Sequence, residues 1–222
     1  MKIREILSET PLPAEWDKQV FTPSTSYKKR IEYAVARAQK LGKGSSRSAF
    51  DIMFENRPTV LKVAHNSKGM AQNEAEAELL SDGYLQSLDI VIPIIDYDEE
   101  HQQPIWIHTE KAQKATPKQL CDLMKCPSLT NLVESSIQAY TGRSQYGDIL
   151  TKSKQLVAKK YGEEEVETFL EWVDKLQDLQ SFDINVNDYS RAGNWGIYAG
   201  QPVVIDVGFT HAVATQHYGF KN

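Results

Sequence analysis

The 222-residue chain is short of the features that mark several functional classes. It has two cysteines, Cys121 and Cys126, spaced C-x₄-C on a predicted helix, and no second Cys or His pair accompanies them at zinc-ligand spacing. They read as structural thiols in a reducing, cytoplasmic setting rather than as a metal site. Positive charge is not in excess: 25 Lys and Arg against 30 Asp and Glu give a net charge of −5. That balance argues against a broad nucleic-acid or anionic-membrane surface, though a local basic patch is compatible with it. No apolar run approaches the roughly 20 residues that span a bilayer. The polar start Met1–Lys2–Ile3–Arg4–Glu5 does not read as a signal peptide. Repeats and low-complexity tracts are also missing. What remains is ordinary for a globular protein, with 41% hydrophobic and 25% charged residues. The length suits one domain or two small lobes with a proper core.

The pattern changes character along the chain. Residues 1–26, punctuated by Pro11, Pro13 and Pro23, read as an extended leader with one helical turn. Tyr27–Leu41 reads as a basic helix with Ile31, Ala34, Val35 and Ala38 on one face. Strands are predicted at Ser48–Phe54 and Thr59–Ala64, a helix over Gly69–Leu88, and strands at Val91–Tyr97 and Pro104–Glu110. From Lys111 the patterns turn helical: Thr116–Lys125, Leu129–Tyr140, Tyr146–Tyr161 and Glu163–Gln180. A final hairpin, with strands Trp195–Tyr198 and Val203–Val207 around the turn Ala199–Gly200–Gln201–Pro202, leaves only a short tail.

That hairpin carries the strongest chemical signal. Folding it brings Asn194, at its entry, close to Asp206, at its exit. Two hard oxygen ligands suit Mg²⁺, which keeps several waters and takes further ligands from phosphates. Asp188, on the preceding loop, is placed to hold or deprotonate a nucleophile, which together makes the layout of a phosphoryl-transfer site. Asp188 and Asn194 also suit plain turn caps, since both residue types bond their own backbone there. Asp206 is harder to assign that way. It ends the apolar run Val203–Val204–Ile205, where a carboxylate needs a cation or several donors.

Three elements nearer the start point the same way. Gly42–x–Gly44–Ser45–Ser46–Arg47 enters a strand and can drape backbone N–H groups over phosphates, or serve as a flexible turn. In Val60–Leu61–Lys62–Val63–Ala64, alternation puts Lys62 on the face opposite Leu61 and Val63. An ammonium inside an apolar strand needs an anionic partner, unless the side chain snorkels from an edge. The acidic helix around Asn73–Leu80 offers one. Glu76 lies three and four residues before Leu79 and Leu80, on the apolar stripe, and is the expected partner of Lys62. Glu74 is the second choice, and a solvated acidic face the alternative for the helix as a whole.

In order and spacing these elements resemble the protein-kinase-like fold over roughly residues 40–210. Gly42–x–Gly44 looks like its Gly-rich loop, Val60–Leu61–Lys62 like its nucleotide-binding Lys strand, and Glu76 like its αC partner. Pro104–Glu110 would run into the hinge, which makes Glu110 a nucleotide-binding candidate. Asp188 and Asn194 look like the catalytic-loop pair, and Asp206–Val207–Gly208 like the D-F-G element. More narrowly, the N-W-G-I hairpin and the I-D-V-G-F ending resemble small kinase-like proteins of tailed bacteriophages. The resemblance implies an α+β, bilobal fold. A small antiparallel N-lobe with one αC-like helix would occupy 27–110, after the leader 1–26. A truncated, mainly helical C-lobe would occupy 111–222.

It also implies ATP and Mg²⁺ as cofactors, with Gly42, Gly44, Ser45, Ser46, Arg47, Lys62, Glu76 and Glu110 toward the nucleotide. Asn194 and Asp206 would hold the metal, and Asp188 and Arg191 would be catalytic. The sequence departs from the family at several of these positions. Arg47 replaces the third loop Gly and could itself meet a phosphate. Val186–Asn187 stand where His–Arg usually precede the catalytic Asp, and Asn194 lies six positions after Asp188 rather than the usual five. Arg191 would supply the positive charge of the catalytic loop. Only 14 residues follow Gly208, with no room for a peptide-binding platform. The expected activity is γ-phosphoryl transfer from Mg–ATP to a protein Ser/Thr or a small molecule, in the cytoplasm (of a host, for a phage protein), with no nucleic-acid or membrane partner. The alternatives are a pseudokinase that acts as a binding module, and AMP transfer on the same scaffold.

Overall fold

A computed structural model describes residues 12, 13, 16–143 and 147–219. The first part of the expected leader, 1–11, and Tyr146 at the start of an expected helix therefore lie outside the described residues. The chain divides into two compact units, one of residues up to Ala77 with Pro93–Lys111, the other of Glu78–Ile92 with the residues from Ala112 onward. The fold is α+β, an antiparallel sheet in the first unit and mainly helices in the second, as the sequence predicts.

In the first unit, helix α1 (Tyr27–Val35) starts at Ser26, whose side chain accepts the Lys29 N–H, and stops at Val35. The helix expected to reach Leu41 is instead followed by strand β1 (Gln39–Lys43). Every residue of β1 is exposed, so no side-chain alternation marks it. Its identity comes from pairing with β2 (Arg47–Phe54), Gln39 opposite Asp51 and Lys43 opposite Ser48. Strand β3 (Arg57–Ala64) follows through a turn in which Glu55 and Asn56 both take left-handed φ, +49° and +61°. Two such residues match the twist of a two-residue hairpin. Helix α2 (Ser67–Leu80) comes next, then β4 (Ile94–Tyr97) and β5 (Trp106–Glu110). The five strands pair antiparallel in the order β1-β2-β3-β5-β4.

The register sorts the faces of this sheet. Phe50 lies opposite Leu61 and Val63 opposite Trp106, and these four share one buried cluster with Ile52 and Ile105. Ala49 and Ile107 lie opposite Lys62 and share its face. The stretch read as a leader contributes Leu12, Trp16 and Phe21 to the first cluster, with a 3₁₀ turn at Lys18–Val20. Trp16 stacks on Phe21 with centroids 6.0 Å apart and meets Tyr33 edge-on. Large apolar side chains bury wherever a face accepts them, with or without a regular element around them.

In the second unit the helix predicted over Gly69–Leu88 is broken. Helix α2 ends at Leu80, and Asp82 caps a separate α3 (Gly83–Ser87) by accepting the Leu85 N–H at 2.9 Å. A two-residue strand β6 (Gln113–Lys114) precedes α4 (Pro117–Leu123), whose capping box pairs Thr116 with Gln119. Helices α5 (Leu129–Thr141), α6 (Ile149–Tyr161) and α7 (Glu165–Ser181) pack on one another through Leu132, Val133, Val157, Phe169, Val173 and Leu176. A short α8 (Val186–Tyr189) occupies what reads as loop.

The closing hairpin pairs β7 (Trp195–Tyr198) with β8 (Gln201–Val204). Its turn is only Ala199–Gly200, at φ +49° and +84°, so Gln201 and Pro202 belong to the strand rather than to the expected four-residue turn. Pro202 is tolerated because β8 is the outer strand of the order β6-β7-β8. The strand predicted to reach Val207 stops at Val204, which leaves Asp206 beyond it. A capped helix α9 (His211–Tyr218) follows where only a tail is expected. Among the described residues no helix is long and apolar enough to cross a membrane.

Candidate functional site

Two groups of side chains are candidates for a site, one in each unit. In the first, Lys62 sits in the middle of the sheet, flanked by Ala49 on β2 and Ile107 on β5, and only 8% exposed. Its Nζ donates to Oε1 of Glu76, which α2 holds fully buried. Glu74, the second choice, instead accepts from Gln103 Nε2 at 3.2 Å on an exposed surface. The other Glu76 oxygen is taken as well: Arg47 Nη1 donates to Oε2, and also to Asn73 Oδ1 at 3.2 Å. Asn73 lies three residues before Glu76, one turn away on the same helix face, and its Nδ2 donates to the Pro104 carbonyl at 3.1 Å. Two cations on one carboxylate sum to one positive charge at this face of the sheet. That sign attracts phosphate.

The glycine loop is the turn between β1 and β2. Gly44 N–H donates to the Arg47 carbonyl at 2.9 Å. The rest of the loop is tied toward α2: the Ser46 carbonyl accepts the His65 N–H at 2.9 Å, the Ser45 carbonyl accepts Asn66 Nδ2 at 3.2 Å, and Ser46 Oγ pairs with Gln72 Oε1. A side chain on Gly42 would meet nothing within 4 Å, and one on Gly44 only the Arg47 carbonyl at 3.6 Å. Neither glycine is required by the chain's own packing, and the space over both is open. Ser45 is exposed, whereas Ser46 is buried. Arg47, expected as a loop residue, is the first residue of β2, 7% exposed and turned to Glu76. Glu110 ends β5. Its carboxylate pairs with Arg57 and its N–H donates to the Pro93 carbonyl at 3.0 Å.

In the second unit Asp188 lies on α8, 7% exposed, and its Oδ2 accepts the Phe209 N–H at 3.0 Å. Asn185 N–H, just before α8, donates to the Phe209 carbonyl at 3.3 Å, so Asn185 and Asp188 both bond the backbone of Phe209. The Asn194 carbonyl accepts the Ile205 N–H at 2.8 Å, which brings Asn194 beside the residue before Asp206. A 3₁₀ turn, Ala192–Asn194, lies between Asp188 and the hairpin. Arg191 precedes that turn and is exposed. Asn194 and Asp206 are both half-buried. Among the described residues no three His, Cys, Asp or Glu side chains gather as a metal site. One amide and one carboxylate oxygen nonetheless fit Mg²⁺, which needs few protein ligands when water and phosphate complete its shell.

Tyr189, next to Asp188, is fully buried, and its hydroxyl has no hydrogen-bond partner among the described residues. Burial pushes its pKa well up. Its carbonyl accepts Trp195 Nε1 at 2.8 Å, which ties α8 to the start of β7. Removing an unsatisfied buried hydroxyl removes a desolvation cost. Tyr189→Phe is therefore expected to leave stability unchanged or raise it by about 1 kcal/mol in a urea titration. A loss above that size would place a partner on the hydroxyl.

Sequence reasoning missed Asn73, Gln72, Gly69 and the Asp188-to-Phe209 bond. Of these only Asn73 carried a signal, its three-residue spacing from Glu76. No protein-family model and no curated protein sequence matches the chain. Among solved structures it is similar to the aminoglycoside phosphotransferase APH(4)-Ia. A thermostable mutant in ternary complex with ADP and hygromycin B aligns over 82% of this chain and 70% of that one, at 16% identity and a TM-score of 0.34. The apo form of the thermostable mutant aligns over 77% and 66%, at 14% identity and 0.32. A further structure of that enzyme aligns over 51% and 36%, at 20% identity and 0.28, so there the chain spans about a third of the other's length.

Proposed function

We propose that this chain is a kinase-like phosphotransferase that binds Mg–ATP and passes the γ-phosphoryl group to a hydroxyl acceptor in the cytoplasm. The observation that carries the reading is the buried contact of Lys62 with Glu76, reinforced by Arg47. A lysine in the middle of an antiparallel sheet, aimed by a fully buried carboxylate on the next helix, is the device that fixes an ammonium for phosphate. In this reading Lys62 orients the α- and β-phosphates, and the open space over Gly42 and Gly44 admits the phosphate tail. Asn194 and Asp206 would hold Mg²⁺, which supplies charge neutralisation at the transferred group. Asp188 orients the acceptor hydroxyl, with Arg191 contributing positive charge nearby in sequence. The acceptor is a small molecule or a protein Ser/Thr.

A second reading, a pseudokinase that binds nucleotide and acts through a protein partner, draws on a specific observation. Asp188 is nearly buried and accepts the Phe209 N–H, a bond that a purely structural carboxylate also makes. Transfer of AMP rather than phosphate is the third possibility on the same ligands. Incubation with ATP labelled at the γ or the α position separates the three. The proposal predicts γ label in acceptor or protein, lost at least 100-fold in Asp188→Ala with ATP binding retained. Label from the α position would mean nucleotidyl transfer. Binding without any transfer would mean a pseudokinase.

A further inference from the structure

The two cysteines lie in the second unit, on and just after helix α4, and none of the proposed roles uses them. Helix α4 ends at Leu123 with Met124 as its cap. Lys125 then takes left-handed φ, +51°, and the Cys126 N–H returns to the Cys121 carbonyl at 3.0 Å. This is a Schellman ending, in which the residue after the left-handed position packs against the one five before it. The C-x₄-C spacing therefore puts the two cysteines at the pair of positions whose side chains pack together in this ending. Cys126 is fully buried and Cys121 is 8% exposed, so one thiol lies at the edge and the other beneath it. Tyr161 at the end of α6 closes the site, its hydroxyl 3.3 Å from both the Cys121 and Cys126 carbonyls and 3.1 Å from Asp122 Oδ1. Two ammonium groups approach the Tyr161 ring, Lys160 at 4.4 Å and Lys125 at 5.7 Å from its centroid.

We propose that Cys121 and Cys126 form a redox modification site, in which peroxide converts the paired thiols to an intramolecular disulfide without unfolding the chain. Proximity to Cys126, with help from Lys160, lowers the Cys121 thiol pKa, while the same proximity and burial push Cys126 up. Cys121, the less deeply buried of the two, is the attacking sulfur, and the fully buried Cys126 the resolving one. The Cys121 thiolate attacks one peroxide oxygen: an S–O bond forms, the O–O bond breaks, and hydroxide leaves as water after taking a proton. The Cys126 sulfur then displaces the sulfenic oxygen. The S–S bond forms, the S–O bond breaks, and the released hydroxide carries off the Cys126 proton as a second water. Two thiols lose two electrons and two hydrogens, and hydrogen peroxide becomes two waters. The contact already made by the Schellman turn means that little of the backbone has to move.

The test is intact-mass and thiol counting on the full chain after brief exposure to hydrogen peroxide, with labelling under denaturing conditions. The expected result is loss of both thiols together, a mass lower by about 2 Da, a monomeric product and full reversal by dithiothreitol. In Cys126→Ser the same exposure is expected to stop at a sulfenic or higher acid on Cys121, trapped by dimedone. In Cys121→Ser the Cys126 thiol is expected to survive. Retention of both thiols in the wild type, dimer formation through disulfides, or equal reactivity of Cys126 in Cys121→Ser would overturn the proposal.

Discussion

Glu76→Ala is expected to destabilise the first unit by roughly 3–5 kcal/mol, the range for removing one member of a buried ionic group. The carboxylate is fully buried and receives both Lys62 and Arg47, so its loss strands two cations at once. A surface ion pair would be worth a fraction of that. Lys62→Met is expected to behave differently. It keeps the Arg47–Glu76 contact, replaces the ammonium by an apolar side chain of similar length, and is expected to cost less than about 1.5 kcal/mol. Urea unfolding of both variants checks the pair. Equal losses, or a loss below about 1 kcal/mol for Glu76→Ala, would mean that water or another group meets these cations. The contrast also serves function: Lys62→Met is expected to fold and to fail to bind nucleotide.

Gly69→Ala is expected to be far more damaging than the same change at Gly42 or Gly44. A Cβ there would stand 2.2 Å from the Ser46 carbonyl oxygen and 3.2 Å from the Ala64 Cα, both backbone atoms that cannot swing aside. Either α2 moves back or the glycine loop lifts, and the expected cost is about 1–3 kcal/mol. The loop contacts of Ser45 and Ser46 should fail with it, so amide exchange at Gly44 and His65, whose N–H groups bond across this turn, is expected to accelerate. Gly42→Ala is the control. Nothing lies within 4 Å of its would-be Cβ, and stability is expected to stay within about 0.5 kcal/mol of wild type. A larger effect at Gly42 than at Gly69 would contradict the placement of the loop.

Legibility in the sequence followed the strength of side-chain patterning. Strands β2 and β3, helices α5 and α7 and the β7–β8 hairpin were readable because each has one apolar face or a marked turn. Strand β1 was not, because its five residues are all exposed and only its ladder with β2 defines it. The split between α2 and α3 turned on Asp82, an N-cap in the middle of a continuous helical pattern. Helix α9 has too weak an apolar face to be noticed, although Thr210 caps it. The leader's contribution to the core was hidden by the prolines around it.

Within the site, the alternation at Lys62 and the stripe position of Glu76 led to the pair that the fold brings together. Arg47 shows where such reasoning stops. Its position after a glycine turn suggested a loop residue facing phosphate. A register of Arg47 opposite Ala64 puts it on the same sheet face as Lys62, within reach of α2. No local pattern encodes that, since cross-strand register is a tertiary property. Likewise the bond from Asp188 to the Phe209 N–H joins residues 21 apart, and composition gives no hint of it.

The central claim of the proposed function is that the chain binds Mg–ATP with Asp206 as a metal ligand, and ligand-induced stabilisation measures it directly. At 100-fold excess over Kd, Mg–ATP is expected to add about 2.7 kcal/mol and raise Tm by several degrees. Asp206→Ala, at a half-buried residue beyond the end of β8, should abolish that shift. A wild-type protein whose Tm does not respond to Mg–ATP, or an Asp206→Ala protein that responds equally, would contradict the account.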